Sequence, residues 1–110
     1  MDTNMLPKPV ADYLAAANAH DPEAVAACFT ARAVVADENR EHVGRAAIRD
    51  WIAAADAQYA PTVEPLRVEA DGPNVVLYGK VSGTFPGSPA TLRFAFVLEG
   101  EKIARLTITE

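Results

Sequence analysis

A single cysteine, Cys28, in a chain of 110 residues leaves no partner for an intramolecular disulfide, and a lone thiol suits a reducing compartment. Histidine is almost as scarce. His20 and His42 fall outside any HxH, HExxH or CxxC-like spacing, so no recognisable metal motif is present. Walker, GxGxxG and GxSxG patterns are missing too. No apolar run approaches the roughly 18 residues of a membrane-spanning helix. The segment Met1–Pro9 lacks the basic stretch and apolar core of a secretory leader. Positive charge is thin: ten Lys and Arg against fifteen Asp and Glu give a net charge of −5. The bases are scattered, which argues against nucleic acid as a partner. The expectation is a cytoplasmic protein with no membrane segment, no metal and no cofactor.

What is present suits one globular domain over residues 1–110. The composition is 50% hydrophobic and 23% charged, and a chain of this length closes one core without covalent staples. Val10, Tyr13, Leu14 and Ala17 recur at helical spacing and predict a first helix. Asp21-Pro22-Glu23 opens a second, with Asp21 as N-cap and Pro22 in the first turn. That short helix is expected to turn Val25, Cys28 and Phe29 inward, with Cys28 as a small buried hydrophobe. Ala33–Asp37 reads as a short buried strand and Glu38–Val43 as a polar loop. From Arg45 to Tyr59 the stripe Ile48, Trp51, Ile52, Ala55 and Tyr59 predicts a third helix, stopped by Pro61.

The remainder reads as strand: Val63–Glu69, Val75–Gly83, the alternation Leu92, Phe94, Phe96, Leu98, and Lys102–Thr109. Asp71-Gly72-Pro73-Asn74 and Glu99-Gly100 supply turn chemistry. Arg93 alternates away from its apolar neighbours and belongs on the outer face. The expected fold is α+β, in the order α-α-β-α-β-β-β-β. A cone-like, mostly antiparallel sheet wraps around three N-terminal helices and encloses one pocket.

Two residues stand out chemically. Asp37 ends a strand otherwise made of Ala and Val. It either caps the following loop or lies at an apolar cavity, where burial would raise its pKa and make it a usable base. Tyr13 sits on the inner stripe of the first helix, either as a core tyrosine or as a donor into a pocket. Phe29, Trp51, Tyr59, Phe94 and Phe96 read as wall and core. Glu38, Arg40 and His42 lie in the loop at the mouth, where His42 could assist Asp37.

Tyr13-Leu14-Ala15-Ala16-Ala17-Asn18-Ala19-His20-Asp21, then Ala33–Asp37, then Gly44-Arg45-Ala46-Ala47-Ile48-Arg49 resemble the SnoaL-like and ketosteroid-isomerase-like branch of the nuclear-transport-factor-2-like superfamily. The resemblance implies that Asp37 shuttles a proton while Tyr13 holds an enolate oxygen. It also has departures. The position of the second oxyanion acid reads Phe94, and that of the tyrosine supporting the first one reads Ile52. The loop after Asp37 is shorter than in the isomerases, so isomerisation of 3-oxo-steroids is expected to be poor. Two functions remain open: a cofactor-free isomerase, cyclase or dehydratase acting on a small apolar carbonyl compound, or a module that only binds an apolar ligand or dimerises. A homodimer through the outer sheet face is expected from strands apolar on both faces, such as Val75–Tyr78.

Overall fold

Alternating apolar residues in the second half of the chain build a sheet, and the helical stripes of the first half cover one side of it. The computed structural model describes residues 6–110; the reading of Met1–Pro9 as free of a leader therefore falls largely outside the described residues. In chain order the elements are α1 (Lys8–Asn18), α2 (Pro22–Ala27), β1 (Phe29–Asp37), β2 (Arg40–Val43), α3 (Arg45–Tyr59), β3 (Thr62–Asp71), β4 (Asn74–Ser82), β5 (Ala90–Glu99) and β6 (Lys102–Thr109). The strands form one open six-stranded sheet in the order β2-β1-β6-β5-β4-β3. Every pairing is antiparallel except β1 with β6. The fold is the expected α+β arrangement with a curved, unclosed sheet.

One strand more than expected is present. The polar pattern of Glu38–Val43 implies a loop, but Glu38 and Asn39 both take positive φ, 54° and 64°, and form a tight two-residue hairpin turn. Arg40–Val43 then pairs back on β1, Asp37 opposite Arg40 and Val34 opposite Val43. The charged side chains of β2 hid the strand, because it is a short edge whose ladder, not its burial, defines it. The first strand also starts earlier than Ala33. Phe29 opens β1, and Cys28 caps α2 rather than lying on its inner face. The Cys28 thiol donates to the Ala24 carbonyl at 3.3 Å, and burial raises its pKa.

The helical stripes pack as expected. Val10, Tyr13, Leu14 and Ala17 of α1 are buried, as are Ile48 and Ile52 of α3. They meet Val75, Leu77, Phe94, Phe96, Ile103 and Leu106 from the inner sheet face. Asp21 caps α2 by accepting from the Ala24 N–H at 3.2 Å. The end of α1 is clamped to β3 by Asn18, whose amide donates to the Val63 carbonyl at 2.9 Å and accepts from the Val63 N–H at 2.8 Å. Register shifts at Phe29/Val34, Pro65/Arg67 and Val97/Leu98 bend the strands, because an extra residue increases local twist and curvature. At Gly79 a side chain would not fit: an added Cβ would lie 2.8 Å from Val63 Cγ1 and 3.1 Å from Phe94 Cε1.

Candidate functional site

Alternation along β1 decides where Asp37 points. Ala33 and Val35 are fully buried, so Asp37, two residues further on, shares their inner face. On the neighbouring edge strand, His42 lies opposite Val35 and Arg40 opposite Asp37, which puts both on that same face. Helix α3 crosses over β1 and β2 and brings Trp51 down on the carboxylate. The indole Nε1–H donates to Asp37 Oδ2 at 3.2 Å. The His42 ring stands 6.0 Å from the Trp51 ring. Asp37 also lines a cleft of about 300 Å³ at the hairpin tip, together with Arg40, Thr107 and Ile108.

Burial raises the pKa of Asp37, and the negative charge of Glu38 adds to that; the Trp51 hydrogen bond and His42 pull the other way. The result is a carboxylate more basic than usual, held through one oxygen by a neutral donor. Tyr13 lies deeper, with 2% of its surface exposed. Its ring meets Phe29 and Phe96 edge-on, at centroid distances of 6.1 and 5.6 Å. Burial, followed by the charges of Asp37 and Asp56, pushes its pKa above the ordinary tyrosine value, so the phenol keeps its proton and can only donate it in a hydrogen bond.

The residues expected to line one pocket separate into groups. Phe29 and Phe96 enclose the Tyr13 ring, and Phe94 is core opposite Leu77. Trp51 and His42 gather at Asp37. Tyr59 turns instead to Phe85, 5.8 Å away.

Sequence reasoning missed two features. The helical stripe makes Trp51 a wall residue, yet it is the hydrogen-bond partner of Asp37. Asp56 was not singled out at all, although Ile48, Ile52 and Asp56 recur every four residues on one face of α3 and set an acid on an apolar stripe. Asp56 as a residue is only partly buried, but both carboxylate oxygens are closed off from solvent and have no hydrogen-bond partner among the described residues. Burial raises its pKa, with His20 opposing.

An acid whose folded pKa exceeds its unfolded value leaves the folded state holding more protons than the unfolded one. Stability therefore falls as pH rises from the ordinary carboxylate range through the raised value, and the loss persists above it. Asp56→Leu is expected to stabilise the fold at pH 7 by on the order of 1 kcal/mol, the cost of an unsatisfied buried group, and to flatten that decline. Urea denaturation of both proteins between pH 4 and 8 measures it. A less stable Asp56→Leu at pH 7 would mean that the carboxylate contributes to the fold.

The sequence profile of the SnoaL-like domain matches residues 10–106. The chain belongs to the SnoaL-like domain family. Among solved structures, this SnoaL-like chain is similar to a protein of Sinorhizobium meliloti that carries a provisional polyketide cyclase designation. The two are 38% identical over 99% of this chain and 100% of that one, with a TM-score of 0.95. It is also similar to SalBIII, an epoxide hydrolase/cyclase-like enzyme of pyran ring formation in the polyether salinomycin. Identity there is 25%, over 92% of this chain and 86% of that one, with a TM-score of 0.80. A ketosteroid isomerase-like fold from Catenulispora acidiphila matches at 22% identity over 96% and 87% of the two chains, TM-score 0.87, and shows the fold alone. No curated protein matches the chain. Among the described residues no helix is long and apolar enough to cross a membrane.

Proposed function

We propose that this SnoaL-like domain is a cofactor-independent isomerase or cyclase of a small apolar carbonyl compound, with Asp37 as its base. The observation that carries the reading is Asp37 itself: a carboxylate on the inner face, made more basic by burial, and fixed through Oδ2 by Trp51. A base tuned toward neutral pH and held in one orientation is what abstraction of a proton next to a carbonyl requires. Asp37 takes the proton from carbon, and the electron pair moves into the carbonyl to form an enolate. The Tyr13 hydroxyl donates to the enolate oxygen. The protonated Asp37 then returns its proton at another carbon, or the enolate carbon attacks a second carbonyl carbon of the same molecule, whose C=O π pair moves onto its oxygen and takes the proton from Asp37 as the ring closes. The kinship with proteins named as cyclases supports the ring-closing variant.

The experiment is a screen of β-keto esters, enones and short poly-β-ketones for base-catalysed isomerisation or ring closure, run with wild type and Asp37→Asn side by side. Turnover by wild type that Asp37→Asn lacks supports the reading, and equal turnover removes Asp37 from the mechanism. Binding without turnover would favour the ligand-binding alternative.

A homodimer through the outer sheet face belongs to the same proposal. Val34 and Val43 pair on that face, with Val43 61% exposed. Val76 and Tyr78 alternate outward from the buried Val75 and Leu77, and Val97 is 36% exposed. Light scattering at micromolar concentration is expected to give twice the 11.7 kDa chain mass, and Val43→Lys is expected to shift it toward the monomer. A wild-type monomer would end the idea.

A further inference from the structure

The chain is acidic, yet three of its ten Lys and Arg residues converge. Arg45, Arg49 and Lys102 line one cleft of about 500 Å³ between α2, the start of α3 and the start of β6. Its other charged side chain is Glu23, and the small side chains of Ala26, Ala27 and Ala46 leave the space open.

Two of the cations are fixed by the backbone. Arg45 Nε donates to the Phe29 carbonyl at 2.8 Å, and Lys102 Nζ to the Ala27 carbonyl at 2.7 Å. Each bond uses a single donor, and the remaining N–H groups of both side chains can serve another acceptor. Arg49 reaches Glu23 at 3.4 Å and Asp50 at 2.9 Å, but those carboxylates are 77% and 71% exposed. Pairs so open to water contribute little, so a competing anion can displace them.

The start of α3 adds to the imbalance. Its N-cap is Gly44, no side chain caps it, its first turn holds no acid, and Arg45 occupies the first helical position. The free N–H groups and partial positive charge of a helix start favour an anion. Here the chain supplies a cation instead. Proteins break such local rules chiefly at functional sites.

We propose that this cleft is an anion-binding site for a small oxyanion, the phosphate or carboxylate group of a ligand, held by Arg45, Arg49 and Lys102. It is distinct from the Asp37 site: the two clefts have no lining residue in common. A planar guanidinium fork matches both oxyanions, and a lysine adds a point charge. Backbone-anchored side chains lose less freedom on binding.

The test is an NMR titration of the ¹⁵N-labelled chain with inorganic phosphate, methyl phosphate and acetate in separate arms. Ionic strength is held constant, because salt screens such contacts. Saturable shifts are expected at the amides of Ala26, Ala27, Arg45 and Ala46. Arg49→Ala and Lys102→Ala are each expected to weaken binding at least about fivefold, since a charge-assisted hydrogen bond is lost. Lys80→Ala, on β4, is the control and leaves binding unchanged. Preference for methyl phosphate over inorganic phosphate assigns the site to a phosphorylated organic ligand, the reverse to the free ion, and preference for acetate to a carboxylate. Shifts that stay linear to about 50 mM in all arms, or saturable binding that ignores both variants, overturn the proposal. The Asp37 reading is untouched by either result.

Discussion

Asp37→Asn is expected to lower kcat by about 10²- to 10⁴-fold on a substrate that wild type turns over, the usual contribution of a positioned general base. KM and folding should change little. Asparagine keeps the size of the side chain and an oxygen able to accept from Trp51 Nε1–H, which now reaches Asp37 Oδ2 at 3.2 Å. It loses only the basicity that burial has raised. A parallel Tyr13→Phe variant should lose less, on the order of 10- to 100-fold, because it removes one donor to the developing oxyanion and leaves the base in place. Steady-state kinetics across pH separates the two. The acid limb of the kcat/KM profile reports Asp37 and should vanish in Asp37→Asn but persist in Tyr13→Phe. A Tyr13→Phe variant that loses activity while Asp37→Asn keeps it would reverse the assigned roles.

Phe96→Ala carries the largest expected effect on stability. Phe96 is 1% exposed, sits between Val75 of β4 and Leu106 of β6 in the sheet register, and meets the Tyr13 ring edge-on at 5.6 Å. Truncation removes the buried ring and leaves a cavity between α1 and the sheet, which typically costs about 3–5 kcal/mol. For a domain of this size that lowers Tm by roughly 15–30 °C and consumes much of the usual total stability of about 5–15 kcal/mol. Urea and thermal unfolding measure it, and a loss under about 1 kcal/mol would mean that the core collapses around the gap. The same change frees one side of the Tyr13 ring, so activity at a temperature where Phe96→Ala remains folded should also fall.

Much of the fold was legible because its signals are local. The stripe Val10, Tyr13, Leu14 and Ala17 has helical period, and the alternation Leu92, Phe94, Phe96 and Leu98 has strand period. Each follows from the requirement that one face meet the core. Asp21-Pro22-Glu23 announced a helix start through backbone chemistry alone. The strand Arg40–Val43 was not legible in the same way. It is short, charged and at an edge, so no burial pattern reveals it; the pairing with β1 does.

The sequence by itself determined the α+β class, the boundaries of most elements to within a few residues, and Tyr13 and Asp37 as the residues worth following. It could do so because period, capping and turn preference act over a few neighbouring residues. Only the tertiary structure decided what those residues meet. Trp51 reaches Asp37 because α3 crosses β1, a contact between residues 14 apart that no local pattern encodes. Asp56 lacks a partner among the described residues, and Arg45, Arg49 and Lys102 share a cleft, for the same reason. Electrostatic environment depends on every group within several ångströms, whatever its place in the chain. The fold therefore sets the proton affinity of a side chain whose identity the sequence supplies.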